Sequence, residues 1–213
     1  MRTLFDENLT LEEAEELIKN GADVNARDDY ERTPIFGYAE LPTDSYINVL
    51  TFLLDSGADV NAVDEFGESA LFFVINTEIA QLLIQRGADS HIQNHDGQTP
   101  IFFINNENIL RLLIQHGADI NHVDLHGKNI LSKTLEWSLY QKKIPFLIAN
   151  GAIPATVDSY KTLRHILSQE QQKMFDVFMS ISGSDKEFFQ MCRAYKEGVK
   201  TEDNMDVKDM DIL

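Results

Sequence analysis

The tripeptide Gly-Ala-Asp occurs four times in this 213-residue chain, at Gly21, Gly57, Gly87 and Gly117, and a fifth Gly-Ala pair stands at Gly151. Successive glycines are separated by 36, 30, 30 and 34 residues. Periods of this length are typical of solenoids, in which each repeat buries its apolar face against the next one. The sequence therefore predicts a stack of similar units.

An apolar segment with helical spacing precedes most of these glycines. In segments 49–54, 79–84 and 109–114, large aliphatic side chains recur at positions i, i+3 and i+4. Glycine after such a segment supplies the left-handed backbone that ends a helix. We expect a short extended stretch after the glycine, for example at 23–26, and then a turn rich in Asp, Asn and Gly.

Each turn leads into a predicted helix start. Thr33-Pro34-Ile35 and Thr99-Pro100-Ile101 place threonine at the N-cap and proline at the first helical position. Ser69 and Asn129 stand at the corresponding places of the other two copies. Thr10-Leu11-Glu12-Glu13 is a capping box and predicts a further helix near the N-terminus.

This order of turn, short helix, second helix and glycine resembles the ankyrin repeat family. The resemblance rests on the Thr-Pro-Ile helix starts, the Leu-Leu pairs and the Gly-Ala-Asp-Val-Asn-Ala segments at Gly21 and Gly57, and it covers residues 10–154. It implies an all-α solenoid of helix-turn-helix units joined by short β-hairpin-like loops. We expect residues 1–154 to form this domain, with an N-terminal half repeat as a cap and about four repeats.

Three features depart from the family pattern. The two central repeats have 30 residues instead of about 33, which predicts a short first helix or a short connection to the second. The family's histidine is replaced by Phe36, Phe72, Phe102 and Ser132, so we expect apolar stacking between repeats in place of its hydrogen bonds. Glu31 stands where a turn glycine is expected, which leaves the shape of the first hairpin open.

Residues beyond 154 do not follow the repeat. Two capping boxes, Ser168-Gln169-Glu170-Gln171 and Ser184-Asp185-Lys186-Glu187, are followed by apolar residues at helical spacing. We therefore expect helices within 155–200, which either cap the last repeat or form a second binding surface. Residues 201–213 are acidic, and we expect them to be disordered.

The chain is strongly acidic, with a net charge of −17 and a pI near 4.6. Such a surface repels phosphate backbones and anionic lipids, so we expect neither nucleic-acid nor membrane binding. The charge has two interpretations: it keeps the protein soluble, or it attracts a basic partner by electrostatic steering.

The sequence has no apolar segment long enough to cross a bilayer and no basic-plus-apolar signal region. Its single cysteine excludes an intramolecular disulfide and suits a reducing cytosol. We expect a cytoplasmic protein that is monomeric by itself, or one delivered into another cell's cytosol without a classical signal peptide.

We find no motif for catalysis, a cofactor or a metal: no phosphate loop, Cys-x-x-Cys pair or His-Glu-x-x-His helix. An activity within 156–200 would depend on His165 or Cys192, and no nucleophile with an oriented base is present there. The other histidines lie within two repeats, and the pairs His91/His95 and His122/His126 are on predicted turns, which favours surface, hairpin or pH-sensitive roles over a metal site. They are His91, His95, His116, His122 and His126.

The resemblance implies a non-enzymatic protein-protein interaction module that scaffolds or blocks a partner through its concave face of hairpin tips and first helices. Alternatives are an immunity or inhibitor protein that neutralises a basic toxin or enzyme, and a bacterial effector that engages a host protein. Tyr30, Phe66 and Leu125 are large apolar residues at turn tips; they either anchor the partner or pack on an adjacent hairpin. The expected contact residues are Arg27, Asp29, Tyr30, Arg32, Val63, Glu65, Phe66, Glu68, Gln93, His95, Asp96, Gln98, Val123, Leu125, His126 and Lys128.

Overall fold

A computed structural model describes residues 2–6, 8–41, 46–136 and 143–155, together with residues 159, 162 and 163. The predicted C-terminal helices and the acidic tail lie outside these residues. The described part contains seven α-helices, and none of them has the length and apolar character needed to cross a membrane. They are α1 (Leu11–Lys19), α2 (Ile35–Ala39), α3 (Ile47–Asp55), α4 (Thr77–Gln85), α5 (Glu107–Gln115), α6 (Ile130–Glu136) and α7 (Ile144–Ala149).

Four repeats follow α1, and each contains a first and a second helical segment. The first segments are α2, two 3₁₀ turns (Ala70–Phe72 and Pro100–Phe102) and α6. The second segments are α3, α4, α5 and α7, and each ends at one of the repeated glycines. Since α1 packs on α3, each first segment packs on the first segment of the next repeat, and α4 packs on α5, the predicted all-α solenoid is confirmed.

The predicted shortening of the two central repeats is also confirmed. Their first segments are 3₁₀ turns of three residues, whereas α2 has five residues and α6 has seven. Only a few residues then lead to the second helices, which begin after Asn76 and Asn106. Each asparagine caps its helix, because its Oδ1 accepts a backbone N–H at 2.8 Å in α4 and 2.9 Å in α5.

The glycines end the helices as predicted. Gly21, Gly57, Gly87, Gly117 and Gly151 have φ between 90° and 103°, which places them in the left-handed region. The structure corrects the segment that follows them. Residues 23–26 form a turn instead of an extended stretch: Ala26 N donates to Asp23 O at 3.1 Å and Asn25 N donates to Asp23 Oδ1 at 2.9 Å.

The helix starts match the sequence only in part: α2 begins one residue later than predicted, with Pro34 instead of Thr33 at its N-cap. Thr10 and Glu13 form the predicted capping box, with Glu13 N donating to Thr10 Oγ1 at 3.2 Å and Thr10 N donating to Glu13 Oε2 at 2.9 Å. Thr99 occupies the N-cap before Pro100, but its side chain makes no cap hydrogen bond. The buried Thr33 hydroxyl has no hydrogen-bond partner among the described residues.

Apolar side chains from both segments of every repeat form one continuous core. Leu50, Leu83 and Leu113 are fully buried in successive second helices, and each such side chain stabilises the fold by about 2 kcal/mol. The expected stacking in place of the family's histidine is confirmed by two tilted ring pairs. The ring centroids lie 6.0 Å apart in Phe36–Phe73 and 5.4 Å apart in Phe72–Phe103.

Candidate functional site

Four five-residue hairpins stand between the repeats, and the first residue of each organises the turn. In the second hairpin, Asp64 N donates to Glu68 O at 2.9 Å, and Asp64 Oδ1 accepts from Phe66 N at 2.9 Å and Glu68 N at 3.0 Å. Asp28, Asn94 and Asp124 make the same set of bonds in the other hairpins. The hairpins therefore span 28–32, 64–68, 94–98 and 124–128.

The first hairpin has the shape of the others although Glu31 replaces the turn glycine. Glu31 adopts a φ of 61°, while Gly67, Gly97 and Gly127 have φ of 80°, 74° and 71°. Glu31 N donates to Asp28 O at 3.1 Å, as the glycines do in their own turns. A side chain in this left-handed region costs about 1 kcal/mol, so the turn imposes its geometry on an unfavourable residue.

Backbone hydrogen bonds join the hairpin tips into a row. Each bond runs from the second residue of one hairpin to the third residue of the preceding one. The three bonds are Glu65 N to Tyr30 O (3.0 Å), His95 N to Phe66 O (2.9 Å) and Leu125 N to Asp96 O (2.9 Å). The tips are thus held at fixed spacing, which limits the entropy lost when they bind another molecule.

The large apolar tip residues are exposed. Tyr30 is 59% exposed, Phe66 53% and Leu125 75%. Leu125 does touch its neighbour, because a Cβ on Gly97 would lie only 2.9 Å from Leu125 Cγ. Most of its surface nevertheless remains accessible. Tyr30 and Phe66 are third in their hairpins and Leu125 is second, so the three tips are not in equivalent positions.

Gln98 is the one expected contact residue that is buried, at 6% exposure. Its Nε2 donates to Asp124 Oδ2 at 3.0 Å and its Oε1 accepts from Lys133 Nζ at 2.9 Å, so its side chain is occupied within the fold. Four others are partly buried: Arg32, Val63, Glu68 and Lys128. The remaining eleven are exposed: Arg27, Asp29, Tyr30, Glu65, Phe66, Gln93, His95, Asp96, Val123, Leu125 and His126.

The site combines exposed and buried carboxylates. Asp29, Glu65 and Asp96 lie exposed at the tips, next to the apolar residues. Burial raises the pKa of Glu68. Burial also acts to raise the pKa of Asp124, but hydrogen bonds, chiefly from Lys128 N and Gln98 Nε2, outweigh it and the pKa is lowered. We call the exposed side of hairpins 28–32, 64–68, 94–98 and 124–128 the hairpin face. This face is therefore negatively charged at neutral pH.

Two cations lie over the aromatic pairs beside the hairpins. The Arg32 guanidinium carbon is 4.7 Å from the centroid of the Phe73 ring, and Lys133 Nζ is 5.1 Å from that of Phe103. Phe73, Phe103 and Lys133 were not among the residues predicted from the sequence. Their spacing of 30 residues, equal to the central repeat length, was the available signal, since it gives all three the same place in successive repeats.

A family model described as ankyrin repeats in three copies matches residues 43–124 and 70–158, which together span more than half of the chain. The chain is an ankyrin repeat protein. A search of curated proteins found no match. Ankyrin repeats are generally protein-protein interaction modules and are typically not enzymes. The exposed hairpin face of this ankyrin repeat protein is consequently its candidate binding surface.

The histidines of the ankyrin repeats are distributed over separate structural roles. The Nε2 atom of His122 lies 2.8 Å from Gly97 O, and its ring meets the Phe102 ring edge-on at a centroid distance of 6.1 Å. His116 is the C-cap of α5. No group of three or more His, Cys, Asp or Glu side chains is arranged to hold a metal within the described ranges. Cys192 and His165 lie outside those ranges.

Proposed function

We propose that the protein acts as a non-enzymatic binding module that binds a partner protein through its hairpin face. The observation that carries this proposal is the row of exposed apolar tips, Tyr30, Phe66 and Leu125, on hairpins fixed by repeated backbone hydrogen bonds. Interface energy is concentrated in a few large side chains of this kind. Large exposed apolar side chains on a fixed backbone gain free energy when a partner buries them.

We further propose that the partner is basic. Asp29, Glu65 and Asp96 surround the apolar tips, and the whole chain carries a net charge of −17. Opposite charge on the partner raises the association rate and excludes acidic competitors. With a single cysteine in 213 residues, the protein is suited to a reducing cytosol, where we place its action as a monomer.

An inhibitor of a basic toxin or enzyme is the specific role that the charge favours. Occupying a basic active or interaction site requires an acidic, rigid surface, and the hairpin face provides both properties. Scaffolding and engagement of a host protein by a bacterial effector use the same surface without demanding a basic partner. Loss of the partner's own activity on binding would separate inhibition from these two roles.

Capture of binding proteins at different salt concentrations tests the proposal. The full chain, immobilised through one terminus, should retain a basic protein at about 50 mM salt and release most of it at about 500 mM, because screening weakens exposed charge pairs. Retained proteins are identified and quantified by mass spectrometry. If no protein is retained at low salt, the binding function is wrong; if the retained protein is acidic and insensitive to salt, the charge argument is wrong.

A further inference from the structure

The two aromatic pairs are equivalent structures in successive repeats. Phe36 and Phe72 are 36 residues apart, like Gly21 and Gly57, whereas Phe73 and Phe103 are separated by the central period of 30. The first pair, Phe36–Phe73, is tilted by 51° at 6.0 Å, and the second pair, Phe72–Phe103, by 56° at 5.4 Å. The fold thus presents the same arrangement of rings twice.

The first ring pair holds a cation from the chain itself. The guanidinium carbon of Arg32 is 4.7 Å from the Phe73 centroid and 5.8 Å from the Phe36 centroid. Its nitrogens also reach carboxylates: Nε lies 3.4 Å from Asp64 Oδ2, and Nη1 lies 3.2 Å from Glu40 Oε1. Aromatic rings with nearby carboxylates are a good environment for a guanidinium group, and in this repeat that environment is filled.

The second ring pair has a carboxylate where the first has the arginine. Glu68 occupies the hairpin position of Arg32, 36 residues further along the chain. Its Oε1 accepts from Asn94 Nδ2 at 2.7 Å, whereas its Oε2 has no hydrogen-bond partner in the part of the chain that the structure describes. Phe103 is 37% exposed. A ring, a carboxylate oxygen and an accessible surface therefore occur together, and the hairpin position that supplies a cation in the first pair supplies an anion in the second.

We propose that Glu68 and the second ring pair form a subsite for an arginine side chain of the partner protein. The guanidinium group lies against Phe103 and pairs with Glu68 Oε2, as Arg32 lies against Phe73 and pairs with Asp64. This inference rests on the proposed protein-binding function and specifies part of its recognition. Burial already raises the pKa of Glu68, so a positive charge brought to it replaces lost solvation.

Lys133 is the cation of this chain that lies over Phe103, and its contacts leave room for another. Its Nζ bonds to Gln98 Oε1 and lies 5.1 Å from the Phe103 centroid, and the exposure of Phe103 remains after that contact. Asp124, Asp96 and Glu68 all act on its charge. Of the other nearby cations, Lys128 is paired with Glu136 at 2.9 Å, and Arg32, whose charge acts on Glu68, is paired with Glu40 and Asp64. Three carboxylates thus act on the Lys133 ammonium group, whose hydrogen bond is to the neutral Gln98, and the surroundings stay negative.

Binding of N-acetyl-arginine methylamide to the full chain tests the subsite directly. The Asn94 side-chain amide reports on Glu68, and selectively labelled phenylalanine rings report on Phe72 and Phe103 in NMR titrations. Saturable shifts of these signals with a millimolar dissociation constant are expected, since one exposed cation–π contact and one ion pair are weak. The uncharged isostere N-acetyl-citrulline methylamide should leave the same signals unchanged.

Matched variants assign the contacts. Glu68→Gln keeps the acceptor for Asn94 but removes the charge, and Phe103→Leu keeps the apolar bulk but removes the ring; each should weaken arginine binding by about threefold or more. Glu78→Gln removes an exposed charge at the start of α4 and should have no effect.

Equal shifts with citrulline, or unchanged binding by Glu68→Gln, would overturn the subsite. A partner retained equally by wild type and Glu68→Gln would overturn it too, while leaving the protein-binding function intact.

Discussion

Asn94 Nδ2 donates to Glu68 Oε1 at 2.7 Å and thereby links the last residue of one hairpin to the first residue of the next. The same link recurs on both sides, from Arg32 Nε to Asp64 Oδ2 at 3.4 Å and from Gln98 Nε2 to Asp124 Oδ2 at 3.0 Å. Where a hairpin begins with Asp64 or Asp124, the last residue of the hairpin before it is a donor. Where a hairpin begins with Asn94, that last residue is the acceptor Glu68. The chain thus matches donor to acceptor at every junction between hairpins.

Asn94→Asp should break this matching. It places a second carboxylate against Glu68, although the Asp retains the Oδ1 acceptor that the turn requires, as in the other three hairpins. We expect a loss of about 1 to 3 kcal/mol in the free energy of unfolding, because a partly buried like-charge contact replaces a hydrogen bond. Urea denaturation at pH 7 measures it.

A double variant provides the control. Glu68→Gln combined with Asn94→Asp recreates the Gln–Asp pair that Gln98 and Asp124 already form, and most of the lost stability should return. A double variant that is as unstable as Asn94→Asp alone would show that the destabilisation comes from the turn and not from the pairing.

His91 interrupts a second series of contacts between repeats. In three repeats an asparagine bridges to the next one; for example, Asn61 Nδ2 donates to Gly87 O at 3.0 Å and Asp89 N donates to Asn61 Oδ1 at 2.8 Å. Asn25 and Asn121 make equivalent bridges. His91 stands at that position after the third repeated glycine, Gly87, with its ring near Gly117.

His91→Asn should restore the missing bridge to Gly117 O and Asp119 N. Two hydrogen bonds at a partly exposed site are expected to raise the free energy of unfolding by about 1 kcal/mol, which thermal and urea denaturation can measure. Asn61→His is the matched reverse change and should lower stability by a similar amount. If both variants have wild-type stability, the bridges do not couple the repeats.

Glu31→Gly should stabilise the protein. The substitution removes a side chain from a backbone with φ of 61°, and relief of this strain is worth about 1 kcal/mol, partly offset by the greater freedom of glycine in the unfolded chain. Gly97→Ala should do the opposite, because its φ is 74° and the new Cβ would meet Leu125 Cγ at 2.9 Å. Melting temperatures that move in the same direction for both variants would contradict this account.

Lys143 should make stability depend on pH above neutrality. Burial, and to a lesser extent the charge of Lys133, lowers the pKa of Lys143 from 10.5 to about 8. Between pH 8 and 10.5 the unfolded chain therefore binds more protons than the folded chain, so stability rises with pH in this window, by at most about 3 kcal/mol. Above pH 10 the rise is opposed by Tyr38, whose pKa burial raises from 10.0 to about 12.

Urea denaturation of wild type and Lys143→Met at pH 7, 8, 9 and 10 isolates this effect. The difference in unfolding free energy between the two proteins should shift in favour of wild type from pH 8 upward, since methionine cannot titrate. If the unfolding free energies of the two proteins change in parallel over the whole pH series, the surroundings of Lys143 do not perturb its pKa.

Local features of this fold were predictable from the sequence because they depend on a few adjacent residues. The glycine helix stops, the capping box of Thr10 and Glu13 and the short central segments were all predicted and are observed. The extended stretch at 23–26 was predicted wrongly, because the Asp23 carboxylate closes a turn by accepting the amide of Asn25. Whether such a short segment is extended or forms a turn thus depends on whether its own side chains accept hydrogen bonds from its backbone.

Contacts between repeats were not predictable in the same way. Gln98 was expected to face a partner, but its side chain turns inward because Asp124 and Lys133 offer bonding partners 26 and 35 residues away. The burial of Lys143 depends likewise on Ile104 O and Asn105 Oδ1 in the preceding repeat. Repeat spacing shows which positions are equivalent, whereas the partner chosen by each side chain depends on packing.

The apolar tips make the strongest prediction about binding. Phe66→Ala and Leu125→Ala should each weaken binding of the captured partner by about 1 to 3 kcal/mol, or roughly five- to 150-fold. Melting temperatures should change little, because both side chains are largely exposed. Ile75→Ala is the matched control: Ile75 is as exposed as Phe66, at 53%, but lies in the connection before α4.

The most direct test of the hairpin face is the dissociation constant of the purified partner for wild type and these three variants, measured by isothermal titration calorimetry at constant salt. We expect weaker binding for Phe66→Ala and Leu125→Ala and wild-type binding for Ile75→Ala. Wild-type affinity in both tip variants, or an equal loss in Ile75→Ala, would contradict this expectation.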